Sequence, residues 1–168
     1  MMFRRAKWAG AAALTGALVM AAPAIAAPGW TAVTIPSTGN NVSLLGASAR
    51  TNTDAWAAGT GASGGLIEHW NGTTWSIVPS PTPGAYPELS GVAGRSASDV
   101  YAVGTNLLSV NGGPEQALIL RWNGTAWSAD SNGVFGGALA AAATFRGAAS
   151  EWAVGRGSGN QGLVLSHS

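Results

Sequence analysis

The chain contains no cysteine. That absence removes disulfide stapling, thiolate zinc sites and a cysteine nucleophile together. Lysine is almost as scarce: its one copy, Lys7, stands beside Arg4 and Arg5 in a basic start. The one long apolar run follows directly, from Ala9 to Ala22, and Ala24-Ile25-Ala26 then gives a small-x-small cleavage pattern. This order of basic, apolar and small residues predicts a secretory signal peptide over residues 1–26, and a secreted, extracellular protein. The run is shorter than the roughly 20 residues that a spanning helix needs. No second run of that length exists, so no membrane span is expected after cleavage. Basic excess is missing too. Beyond Ala26, five Arg face seven Asp and Glu, a net charge of −2. A chain without a basic patch is not expected to bind nucleic acid.

What the sequence does have is self-similarity. Trp70-Asn71-Gly72-Thr73-Thr74-Trp75-Ser76 returns 52 residues later as Trp122-Asn123-Gly124-Thr125-Ala126-Trp127-Ser128. Asp54-Ala55-Trp56-Ala57-Ala58-Gly59 is echoed by Asp99-Val100-Tyr101-Ala102-Val103-Gly104 and by Ser150-Glu151-Trp152-Ala153-Val154-Gly155. Nine positions before each closing glycine stands an arginine: Arg50, Arg95 and Arg146. A period near 50 residues points to a repeat array.

Each unit reads as four short strands. The first runs over Leu44 to Ala49, Leu89 to Gly94 and Ala140 to Phe145; the second carries the aromatic to the glycine. The third is Leu66 to Trp70, Leu118 to Trp122 and Leu163 to His167, and the fourth begins at Trp75 and Trp127. Asn-Gly suggests a type I′ turn, with positive φ at both central residues. The expected fold is all-β: a β-propeller-type array of about three four-stranded blades, over residues 27–168. The third unit stops before its fourth strand, while Trp30 to Pro36 resembles Trp75 to Pro81 and has no unit of its own. Residues 30–36 are therefore expected as a lent outer strand. Three units fall short of the usual four to eight blades. A fragment, an open array and a homo-oligomer that completes a ring all fit, and a stable three-bladed monomer is the least favoured.

These units resemble the β-propeller repeats of secreted bacterial proteins, in the neighbourhood of kelch-like and Asp-box-like propellers. The Gly-Thr-x-Trp piece is similar to the end of an Asp-box hairpin, although the box's leading Ser-x-Asp is replaced by His69-Trp70-Asn71 and Arg121-Trp122-Asn123. Asp-Val-Tyr-Ala-Val-Gly is closer to the aromatic strand of kelch-like units, without their paired glycines. The resemblance implies a fold and leaves activity open.

The recurring residues read as structural. Each arginine lies four positions before Asp54, Asp99 or Ser150, where an Arg–Asp pair would brace a turn. Recurring tryptophans suit core packing, and His69 and His167 lack partners at metal-ligand spacing. Binding is expected instead where the units disagree, in loops. The candidates are Tyr86 and Glu88 in the Pro-rich connection, Glu115 and Gln116 in a long insertion, and Phe135. No nucleophile motif, catalytic residue, cofactor or metal site is indicated. The expected function is a non-catalytic binding or interaction module, with a glycan or cell-surface carbohydrate as ligand. The alternative is a fragment of a secreted glycan-active propeller enzyme, with Glu88 and Glu115 as its carboxylate pair.

Overall fold

The computed structural model describes residues 29–36, 40–81, 83–84, 86–108, 113–130, 135–144 and 150–167. The segment read as a signal peptide lies outside them, as do Phe145 and Arg146. The chain divides into compact units Met1–Ala32 and Val33–Ser168, and every strand belongs to the second. Among the described residues there is no helix, and hence none long and apolar enough to cross a membrane.

The protein is all-β, built from three antiparallel sheets. Sheet one contains β1 (Ser43–Thr51), β2 (Asp54–Gly61), β3 (Gly64–Trp70) and β4 (Trp75–Ile77), in that order. Sheet two follows the same plan with β5 (Tyr86–Ser96), β6 (Asp99–Leu107), β7 (Glu115–Trp122) and β8 (Trp127–Ala129). Sheet three has β9 (Gly137–Thr144), β10 (Glu151–Gly157) and β11 (Gly162–His167). No sheet closes into a ring. Residues 29–36 carry no strand, and sheet three has three strands rather than four.

The recurring glycine has a steric cause. Gly59 pairs with Leu44, Gly104 with Leu89 and Gly155 with Leu139. Immediately beyond each pair the first strand carries one extra residue, Leu45, Ser90 or Ala140. Such a bulge kinks the strand and brings its backbone against the glycine. A Cβ on Gly104 would overlap the carbonyl oxygen of Glu88 and stand 2.8 Å from Leu89 Cα. Gly59 and Gly155 meet the matching oxygens of Ser43 and Ala138. The bulge also corrects the expected start of the third unit, since Leu139, not Ala140, occupies the place of Leu44 and Leu89.

Successive side chains in a strand point to opposite faces, and the three sheets use that alternation alike. Trp56, Ala58 and Ile67 from one face of sheet one pack on Val92, Val100, Ala102, Leu118, Leu120 and Trp127 of sheet two. The other face of sheet two presents Val103 and Ile119 to Leu139, Ala142, Ala153, Leu163 and Leu165 of sheet three. The first strands run beside one another, β1 against β5 and β5 against β9. Ser90, the bulged residue of β5, donates its hydroxyl hydrogen to the carbonyl of Leu139 across that seam.

The Asn-Gly hairpins differ from expectation. Trp70 pairs with Trp75 and Trp122 with Trp127, so four residues separate the strands rather than two. Only the glycine has positive φ, at 98° for Gly72 and 97° for Gly124. The asparagine works through its side chain: Asn71 Oδ1 accepts the N–H groups of Thr73 and Thr74, at 2.9 and 3.0 Å. Asn123 repeats the arrangement with Thr125 and Ala126. An Asx turn needs an acceptor at its first residue and leaves that residue's own φ ordinary.

Candidate functional site

Four of the five residues singled out as loop residues stand in strands. The Pro-rich connection becomes β5 at Tyr86, while β6 continues to Leu107 and β7 starts at Glu115. Much of the supposed insertion is thus a lengthening of sheet two. Its pairing extends three residues past Gly104, to Leu107, against two past Gly59 and Gly155.

This lengthened end collects the candidates. Tyr86 and Glu115 both pair with Leu107, one from each side. Glu88 pairs with Thr105, two residues along β5 from Tyr86. By strand alternation Tyr86, Glu88 and Glu115 share one face. With strands about 4.8 Å apart, Tyr86 and Glu115 stand about 10 Å apart at the backbone. Gln116 pairs with Asn106 and falls on the opposite face. Phe135 stays outside the strands, where its carbonyl accepts the Ala117 N–H at 2.8 Å. Phe135 also belongs to the lining of a cleft.

Two neighbours were not legible in the sequence. Arg156 of β10 donates to Glu115 Oε2 at 2.8 Å and ties the two sheets at this end. Asn106 is buried, and its Oδ1 has no hydrogen-bond partner. Sequence position alone does not pair residues from different units, and Arg156 is not one of the recurring arginines.

Charged groups gather separately at the opposite end of the strands. Arg50 bonds Asp54 through Nε at 2.7 Å, and Asp54 Oδ1 lies 2.9 Å from His69 Nε2. Burial pushes the Asp54 carboxyl up, but the hydrogen bonds from His69 and Arg50 and the charge of Arg50 outweigh it and hold it below the ordinary value. In sheet two Arg95 bonds Asp99, whose Oδ1 accepts from Arg121 Nε at 3.2 Å. Arg95 Nε also lies 3.3 Å from Glu151 of sheet three, and His167 Nδ1 is 3.2 Å from the other Glu151 oxygen. These contacts tie β-turns and neighbouring sheets together, as bracing requires.

Between sheets two and three lies a cleft of about 170 Å³, lined by Tyr101, Ile119, Phe135, Glu151, Leu165 and His167 among others. The Tyr101 hydroxyl has no hydrogen-bond partner. Burial, followed by the charge of Glu151, pushes its phenol up to about 12. It therefore stays neutral near pH 7, able to donate a hydrogen bond but not to act as a base.

Among the described residues, no group of three or more His, Asp or Glu is placed to hold a metal ion. Glu88 and Glu115 lie two strands apart and two pairs out of step, about 12 Å between Cα atoms. Glu115 is already engaged by Arg156. No protein-family model matches the chain, and no curated protein matches it either.

Proposed function

We propose that the chain is a secreted, non-catalytic binding module of β-propeller type, and that its ligand is a carbohydrate. The ligand lies on the lengthened end of sheet two, where Tyr86 offers a ring face and Glu88 and Glu115 offer hydroxyl acceptors. One observation carries the reading. Three residues chosen only because they break the repeat come to one face of one sheet end, within about 12 Å of one another, with Arg156 bonded to the Glu115 carboxylate. An aromatic face beside fixed polar groups suits a pyranose, which has an apolar face and a hydroxyl rim. The propeller reading draws on three sheets of one register, stacked through their first strands.

Glycan-array screening of the secreted protein tests this. Retention of a defined glycan without release of cleaved product is expected. Tyr86→Ala and Glu115→Gln should each weaken it, the second by about 10- to 100-fold if a charge-assisted hydrogen bond is lost. Turnover of any glycan, or binding untouched by both substitutions, refutes the proposal.

A further inference from the structure

The cleft between sheets two and three has a filled counterpart. Between sheets one and two, Trp56, Trp122 and Trp127 form a cluster: the Trp56 ring is 5.3 Å from both others, and Trp122 is 5.8 Å from Trp127. Pairing registers show the equivalences one sheet further on. Tyr101 takes the place of Trp56, and His167, paired with Glu151, takes that of Trp122, paired with Val100. The Tyr101 and His167 rings stand 5.5 Å apart, repeating the first contact. Among the described residues no third ring joins them, and sheet three has three strands. Tyr101 and His167 both line the cleft at that place. Its volume of about 170 Å³ is below the roughly 300 Å³ at which small-molecule pockets begin. One large side chain suits it better than a free ligand.

The adjoining face of sheet three is bare in the same way. Trp152 and Val154 are 48% and 44% exposed, whereas their equivalents Tyr101 and Val103 in sheet two are 4% and 2% exposed under sheet three. Val164, across the strand from Val154, is 62% exposed. Two of three equivalent faces are covered by the next sheet of this same chain, which identifies the chemistry that would cover the third.

We propose that a second copy of this chain covers that face, and that its segment 30–36 adds to the β11 edge with Trp30 in the cleft. Trp30 begins the stretch that resembles β4 and β8, and it is fully exposed. Reach favours a second copy over the chain's own segment. Six residues, 37–42, link Pro36 to Ser43, and the seven backbone steps extend at most about 25 Å. Crossing two sheet spacings of about 10 Å and three strand spacings of about 4.8 Å, to the place beyond β11, uses all of that length even in a straight line. A second copy with its first sheet against sheet three needs only one spacing. Two such contacts related by a two-fold axis close upon themselves, giving six sheets, within the range for propeller rings. This inference is independent of the carbohydrate reading.

The secreted protein should have the mass of a dimer by light scattering. Trp30→Ala should weaken the dimer by about 30-fold or more, as loss of a central aromatic anchor does, and should raise amide exchange at Leu163 to Leu165. The lack of native cysteine permits a direct check that survives any misfolding of that variant. Ser76 pairs with His69 and Ser128 with Arg121, so Thr31 should stand opposite Ser166. Thr31→Cys and Ser166→Cys chains, mixed and oxidised, should form a covalent heterodimer. A monomer at micromolar concentration, a dimer indifferent to Trp30→Ala, or the double variant closing within one chain while the mixture stays uncoupled would each overturn the proposal.

Discussion

Gly104→Ala isolates the feature on which all three sheets depend. The added methyl would overlap the Glu88 carbonyl oxygen and stand 2.8 Å from Leu89 Cα, where carbon atoms prefer about 3.5–4.0 Å. Both obstacles are backbone, so no side-chain rotation relieves them. The strand must either move bodily, which overpacking data place at about 1–3 kcal/mol, or abandon the bulge. Losing the bulge shifts the register by one residue, and a one-residue slip turns every side chain to the other face. Leu89, fully buried in the core between sheets one and two, would be carried out of it, at about 2–5 kcal/mol. The expected loss is therefore about 2–4 kcal/mol, a large share of the roughly 5–15 kcal/mol of a typical domain. In urea, with a slope of about 1–3 kcal/mol per molar, the midpoint should fall by about 1–2 M. Gly162→Ala is the control, because a Cβ there meets nothing within 4 Å. Equal midpoints for the two variants would show that the bulge is not what the glycine serves.

Acid should weaken sheet one in a defined window. The Asp54 carboxyl titrates below its ordinary value of 3.8 in the folded protein, so its contribution is present above about pH 4 and is lost as pH falls through the lowered value. Asp54→Asn should abolish that part of the acid dependence in urea titrations at pH 3 and pH 6. Asn123→Ala removes the acceptor for two turn N–H groups and should cost about 1 kcal/mol in the same assay, whereas Asn123→Asp should cost less. Glu68 is buried without a hydrogen-bond partner, and burial raises its carboxyl above the usual value. Stability is therefore lost as pH rises from the ordinary value of 4.5 through the raised one, so Glu68→Gln should stabilise the protein at pH 7 and become neutral near pH 4.

The strands were legible because the turns punctuate them and the apolar positions alternate. Trp56 and Tyr101 hold equivalent places in β2 and β6, as do Gly59 and Gly104, as the recurring segments suggested. The bulge was not legible, since an extra residue opposite a glycine changes pairing without changing composition. The Asn-Gly turn misled for a different reason: the dipeptide fits two turn geometries, and the Asn71 side chain decides between them. Tyr86 and Glu115 read as loop residues because proline and glycine surround them, yet pairing across Leu107 draws both into sheet two. The Arg156 partner of Glu115 and the cleft beside Tyr101 arise from contacts between sheets, which a single strand's pattern does not encode.

The carbohydrate proposed for the lengthened end of sheet two should leave a footprint there. Amide exchange of the protein with and without a glycan selected from the array tests it most directly. Slowed exchange confined to residues 86–88, 105–107 and 115–117 is the predicted footprint. Protection centred instead on Tyr101, Glu151 and residues 165–167, or none near Tyr86, would contradict it.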